Sequence, residues 1–95
     1  MPARIMVVED EEPLAVILRY NLEAEGHDVQ IVARGDDADT RLKESTPDLV
    51  VLDWMLPGLS GIELCRRLRA RPETRQLPII MLTARGEESE KVRGL

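Results

Sequence analysis

Phenylalanine is absent from the chain, and Tyr20 and Trp54 are its only aromatic residues, so any core it builds is aliphatic. A single cysteine, Cys65, cannot form an internal disulfide, and no Cys/His zinc spacing exists beside the single His27. That cysteine usage suits a reducing compartment. No apolar run approaches the ~20 residues of a membrane span. The N-terminal MPARIMVVEDEE lacks the apolar stretch and small-residue cleavage site of a secretory signal. A cytoplasmic location without membrane association is therefore expected. Positive charge is also scarce. Thirteen Lys and Arg against 18 Asp and Glu leave a net charge of −5, which argues against nucleic-acid binding by this segment and admits a metal cation or a basic partner. The imbalance is uneven: residues 1–63 hold 14 acids and 5 bases, residues 64–95 hold 4 acids and 8 bases. With 95 residues the chain makes one domain, because each of two halves would be too small to sustain a core without staples.

What is present has a rhythm. Aliphatic runs at Arg4–Val8, Asp28–Val32, Asp48–Leu52 and Pro78–Leu82 alternate with segments of helical periodicity. IMVV and LVVL are continuously apolar, as befits interior strands of a parallel sheet covered on both faces. Val29, Ile31 and Ala33 instead alternate with Asp28, Gln30 and Arg34, the pattern of an edge strand with one wetter face. PIIML is apolar again and reads as an interior strand. Pro13 behind Glu11 and Glu12 opens a first helix with the stripe Leu14, Ile17, Leu18 and Leu22 and a stop at Gly26. A second helix over Gly35 to Glu44 has only Ala38 and Leu42 on its apolar side. Ser60 and Glu63 have the spacing of a capping box, Ile62, Leu64, Cys65 and Leu68 supply a buried stripe, and Pro72 must end that helix. Glu87 to Leu95 reads as a last helical segment. Parallel strands need crossover helices, and right-handed crossovers place helices on both sides of the sheet. The expected class is thus α/β, a doubly wound parallel sheet.

Ligands of such sheets bind beyond the carboxyl ends of the strands, near the point where strand order reverses. The first strand ends in Glu9, Asp10, Glu11 and Glu12, the third in Asp53, and the fourth in Thr83 and Ala84. In a flavodoxin-like order the first and third strands are neighbours about 4.8 Å apart, and Glu9 and Asp10 then face Asp53. Such crowding of carboxylates needs protons or a cation, and oxygen-only ligands favour a hard divalent ion such as Mg²⁺. The plainer reading of Glu9 to Glu12 is a solvated loop suited to a helix N-terminus. Asp53 weakens that reading, because an acid at the end of LVVL has no propensity reason to be there. A carboxylate, a cation and a nearby hydroxyl suit phosphoryl chemistry, with Asp53 as nucleophile and Thr83 donating to a transferring oxygen.

VVEDEE, LDWMLPGLSG and MLTARG come in the right order at the right strand tips to resemble the receiver domain of response regulators in two-component signalling, specifically the OmpR class. The likeness runs from Arg4 to Leu95. It implies a flavodoxin-like sheet of order 2-1-3-4 for these strands and phosphoryl transfer from a sensor histidine kinase onto Asp53 with Mg²⁺, switching a transcriptional regulator. By the same resemblance Asp10 and Asp53 are metal ligands, Glu9 acts mainly through water, and Met55 contributes its backbone carbonyl. Thr83 is then the switch hydroxyl and Ala84 the small residue that leaves room for it. Such a domain is a phosphoacceptor with weak self-assisted transfer and dephosphorylation, not an enzyme in the ordinary sense.

Other residues carry local readings. Pro57 and Gly58 turn the chain away from the site, Gly61 permits a close backbone approach, and Trp54 lies over the cleft or half-exposed beside it. Glu88 reads as part of a solvated helix face, the alternative being a group that reaches a metal-bound water, while His27, Tyr20 and Cys65 have no assigned task. The family's fifth βα unit, roughly 25 residues, and the Lys ending its strand are expected to be missing from residues 1–95, as is a DNA-binding domain. Neither Lys43 nor Lys91 stands where that Lys would. An exposed PIIML edge is then expected to favour a homodimer or swapped oligomer. Three alternatives compete: a pseudo-receiver or fragment acting only through protein contacts, an aspartate-nucleophile phosphatase, which would want a second Asp where Met55 stands, and a flavodoxin-like cofactor binder, which EDEEP disfavours.

Overall fold

A computed structural model of the chain describes residues 2–82. Its elements run β1 (Arg4–Val8), α1 (Glu12–Ala24), β2 (Asp28–Val32), α2 (Gly35–Glu44), β3 (Leu49–Asp53), α3 (Gly61–Ala70) and β4 (Ile79–Leu82). All strand pairings are parallel, in the order β2-β1-β3-β4. Val8 is in register with both Val32 and Leu52, and Asp53 with Leu82, so the strand ends line up along one rim of the sheet. The segment read as a last helix, Glu87 to Leu95, lies outside the described residues.

The pleat of β1 explains the unbroken IMVV run. Met6 and Val8 face α2 and α3, packing with Val32, Ala38, Leu42, Val50, Leu52, Leu64 and Leu68. Ile5 and Val7 face the other way, with Val29, Val51, Leu18 and Leu22. Both faces of the strand are buried, so neither position in the alternation can be polar. β2 alternates as expected for an edge, with Asp28 and Gln30 exposed and Val29 and Val32 buried. β4 is at the other edge of the described sheet, half-buried, with Ile80 42% exposed.

Two stripe residues depart from expectation. Ile17 is 56% exposed, and Ala15 is instead the most buried residue of α1. Ile17 lies about 100° around the helix from Leu18, and the apolar contact with β1 and β2 runs through Leu18 and Leu22. Ile62 is 48% exposed for the same reason, with Leu64 and Leu68 carrying the contact and Cys65 at its margin. Ser60 does cap α3, its Oγ accepting from the Glu63 backbone N–H at 3.1 Å. The Glu63 carboxylate turns to Arg66 and Arg67. Past α3, Thr74 Oγ1 donates to the Leu68 carbonyl at 2.6 Å, and the Arg69 guanidinium donates to the carbonyls of Thr74, Arg75 and Leu77. These bonds satisfy carbonyls that the helix end and the following turn leave open, and lead the chain into β4. Between α2 and α3, buried Asp39 accepts from Arg67 Nη1 at 3.0 Å and from Arg71 Nη2, with Lys43 Nζ at 3.9 Å.

Candidate functional site

Both flanks of the site come from strands that end at the same rim. The Glu9 backbone N–H donates to the Val32 carbonyl at 3.0 Å, tying the residue after β1 to the end of β2. Asp53 ends β3, and the Trp54 N–H beyond it donates to the Leu82 carbonyl at 3.2 Å. Buried Glu9, exposed Asp10 and buried Asp53 each offer a carboxylate oxygen, and the three oxygens lie within 4.8 Å of one another. The convergence expected of Glu9, Asp10 and Asp53 is therefore what the fold produces.

Glu9 serves both roles considered for the acidic run. Its Oε2 accepts from the Glu11 backbone N–H at 3.0 Å, satisfying a donor at the start of α1, where Glu11 itself makes no side-chain cap. Its Oε1 is buried with no hydrogen-bond partner among the described residues. Burial pushes the Glu9 carboxyl up to about 7 against the lowering effect of the Glu11 bond, and the neighbouring Asp53 and Asp10 push the same way. A buried oxygen without a donor, crowded by two more carboxylates, fits a cation. With no nitrogen or sulfur in the donor set, the fit is to a hard divalent ion such as Mg²⁺.

Met55 follows in the β3–α3 loop. Its N–H donates to Asp53 Oδ1 at 3.4 Å, so its backbone borders the carboxylates, and the residue is exposed. Gly61 explains how the loop returns. Its N–H donates to the Trp54 carbonyl at 2.8 Å, and a Cβ there would sit 1.9 Å from the Asp53 carbonyl oxygen. The close approach expected of Gly61 is thus directly behind Asp53. Trp54 is half-buried and borders a cavity of about 360 Å³ with Ile62, Cys65 and Met81. Thr83, Ala84, Glu88 and Lys91 lie outside the described residues. His27 Nδ1 accepts from the Ala3 N–H at 3.0 Å, a structural bond at the far end of β1, and Tyr20 is exposed.

The sheet is doubly wound with three carboxylates at adjoining strand tips, and residues 5–95 match the response regulator receiver domain. The chain belongs to that family. It is 73% identical over 95 residues to the phosphate regulon transcriptional regulatory protein PhoB of Rhizobium meliloti (strain 1021), and 47% identical to PhoB of Escherichia coli (strain K12). Each match covers 100% of this chain and 42% of the relative, so the chain spans less than half the length of these relatives. Among solved structures, the receiver domain of a sensor histidine kinase from Pseudomonas aeruginosa PAO1 has a magnesium ion coordinated in its active site cleft. It matches with a TM-score of 0.85 and 30% identity, over 96% of this chain and 75% of that one. The non-phosphorylated HemR receiver domain from Leptospira biflexa matches at 0.79 and 33%, over 99% and 73%. Among the described residues, no helix is long and apolar enough to cross a membrane.

Proposed function

We propose that this receiver domain accepts a phosphoryl group from a sensor histidine kinase onto Asp53, with Mg²⁺ held by Asp10, Asp53 and the backbone carbonyl of Met55, and with Glu9 acting through water. One observation carries the reading: Asp53 is fully buried at the tip of β3, with the Glu9 and Asp10 oxygens within 4.8 Å. No apolar packing rationale places three acids there. In the transfer, an Asp53 carboxylate oxygen forms a bond to phosphorus as the phosphorus–nitrogen bond of the donor's phosphohistidine breaks, and the electron pair stays on the imidazole nitrogen. A bound Mg²⁺ supplies positive charge against the oxygens of the transferring group. The Met55 N–H orients the Asp53 carboxylate through Oδ1. Thr83 supplies a hydroxyl to a phosphoryl oxygen, and Ala84 leaves room for its movement. Hydrolysis of the acyl phosphate resets Asp53, so the domain is a stoichiometric switch with weak self-assistance rather than an enzyme.

The relatives are transcriptional regulators of a phosphate regulon. By extension, the domain works in the cytoplasm, and its phosphorylation controls DNA binding by an effector domain rather than by these residues. Labelling by a histidine kinase or by acetyl phosphate with Mg²⁺ tests the central claim. Wild type is expected to gain an acid-stable, hydroxylamine-labile phosphoryl group that Asp53→Asn does not. Equal labelling of the two would remove Asp53 as acceptor and leave a domain that works through protein contacts alone.

A further inference from the structure

We propose that Gly35, together with the Arg34–Asp36 pair beside it, is a positioning latch that fixes the β3–α3 loop and so sets the geometry of the cation site, an inference that rests on the metal-site reading above. Gly35 opens α2, a place where glycine has no conformational advantage. The glycines with positive φ are Gly26 and Gly58, so backbone conformation is not the reason for glycine at 35. Helix propensity argues against it, since Gly costs up to about 1 kcal/mol relative to Ala inside a helix. The reason is space. A Cβ on Gly35 would lie 1.8 Å from the Leu59 carbonyl oxygen and 2.8 Å from its carbon, both backbone atoms that cannot rotate away. The Gly35 N–H donates to the Pro57 carbonyl at 3.0 Å, so the same residue both touches and holds the loop.

Its neighbours close the other side. Arg34 Nε and Nη2 donate to the two oxygens of Asp36 at 3.0 and 3.2 Å, and this fork lies against Gly58. With φ at +85°, a Cβ on Gly58 would meet Asp36 Oδ1 at 2.4 Å and Arg34 Nη2 at 2.8 Å. Residues 57–59 are therefore seated against residues 34–36. At its ends the loop is tied by the Gly61 N–H on the Trp54 carbonyl and by the Met55 N–H on Asp53 Oδ1. Between those ties the loop rests on the core through Leu56 and Leu59 and on the α2 N-terminus through residues 57–59, and the second of these contacts bears on where Met55 sits relative to Asp53. A methyl at position 35 pushes on the loop, and the shift reaches the cation donors through a few residues of continuous backbone.

Calorimetric titration of the protein with Mg²⁺, with thermal unfolding of each variant in parallel, tests the latch. Gly35→Ala is expected to bind Mg²⁺ about tenfold more weakly, the scale at which groups supporting metal ligands act. Asp36→Ala, which adds no bulk, is expected to weaken it about threefold, in keeping with a half-exposed pair. Gly26→Ala is the control. It takes on strain at φ +93° with no atom within 4 Å, so it lowers the unfolding temperature and leaves Mg²⁺ affinity unchanged. Asp10→Asn is expected to lose binding. Unchanged affinity in Gly35→Ala and Asp36→Ala, with binding lost in Asp10→Asn, overturns the latch and leaves the metal site standing. An equal fall in affinity for Gly26→Ala also overturns it, because the loss would then follow stability. No saturable heat in wild type, or wild-type binding by Asp10→Asn, overturns the metal site and the latch with it. If Gly35→Ala does not fold, Asp36→Ala decides.

Discussion

Raising pH from 6 to 8 is expected to tighten Mg²⁺ binding about tenfold, ~1.4 kcal/mol, through Glu9 alone. The carboxyl is pushed up from its ordinary 4.5 to about 7, first by burial and then by the negative charge of Asp53 and Asp10. Its ionised fraction therefore climbs from about one tenth at pH 6 to about nine tenths at pH 8, and a cation among these oxygens favours the ionised form. The same shift has the opposite sign for the metal-free fold. A carboxyl whose folded value is raised retains a proton that the unfolded chain has released, so its stabilising contribution is full below 4.5 and is lost as pH climbs through 7. Between about pH 5.5 and pH 8 that loss amounts to about 2 kcal/mol, or a fall in unfolding temperature on the order of 10 °C for a domain of this size. Two measurements read the pair of effects: Mg²⁺ titration calorimetry in buffers of different ionisation enthalpy, and unfolding in EDTA across the same range. Near pH 6.5 each Mg²⁺ bound should release about 0.8 of a proton, and Glu9→Gln should release none and flatten the metal-free stability profile. Affinity that is flat from pH 6 to 8 without proton release, in a wild type that binds Mg²⁺, would refute the argument.

Asp39→Ala is expected to cost about 2 kcal/mol in chemical denaturation, below the full figure for a broken buried pair because Arg67 and Lys43 remain partly hydrated. Burial pushes the Asp39 carboxyl up, yet the Arg71 and Arg67 bonds outweigh it and hold the group below its ordinary 3.8. Its contribution is thus present above 3.8 and lost as pH falls through the folded value, so the gap between wild type and variant should close in acid. Ser60→Ala removes the bond to the Glu63 N–H and should cost about 1 kcal/mol, read by the same unfolding curves.

Latch and site share a design in which tight main-chain approaches carry the geometry. Gly35 meets Leu59, and Gly61 meets the Asp53 carbonyl. The loop carrying Met55 is therefore held by backbone atoms that have little freedom to adjust, while its Leu56 and Leu59 side chains pack against the core. A site that must bind a cation and then a phosphoryl group benefits from such rigidity, because donors held in place lose little entropy when the ligand arrives.

Residue order alone determined the strand and helix alternation, the two-sided core, the Ser60 cap and the acids at the strand tips. These depend on local periodicity, on the preferences of caps and turns, and on the rule that parallel βα units bring their strand ends to one rim. Tertiary structure decided the rest, because the rest depends on distances between residues far apart in the chain. Ile17 and Ile62 satisfy helical spacing as well as Leu18 and Leu64 do, and only the angle at which each helix meets the sheet distinguishes the buried from the exposed. Asp39 reads as one more acid on a polar helix until α3 brings Arg67 and Arg71 against it, 28 and 32 residues away. Gly35 reads as a weak helix start until the Leu59 carbonyl is found where its side chain would be. The proton on Glu9 likewise follows from burial and from a neighbour 44 residues on, since a carboxylate's charge is governed by what surrounds it in space.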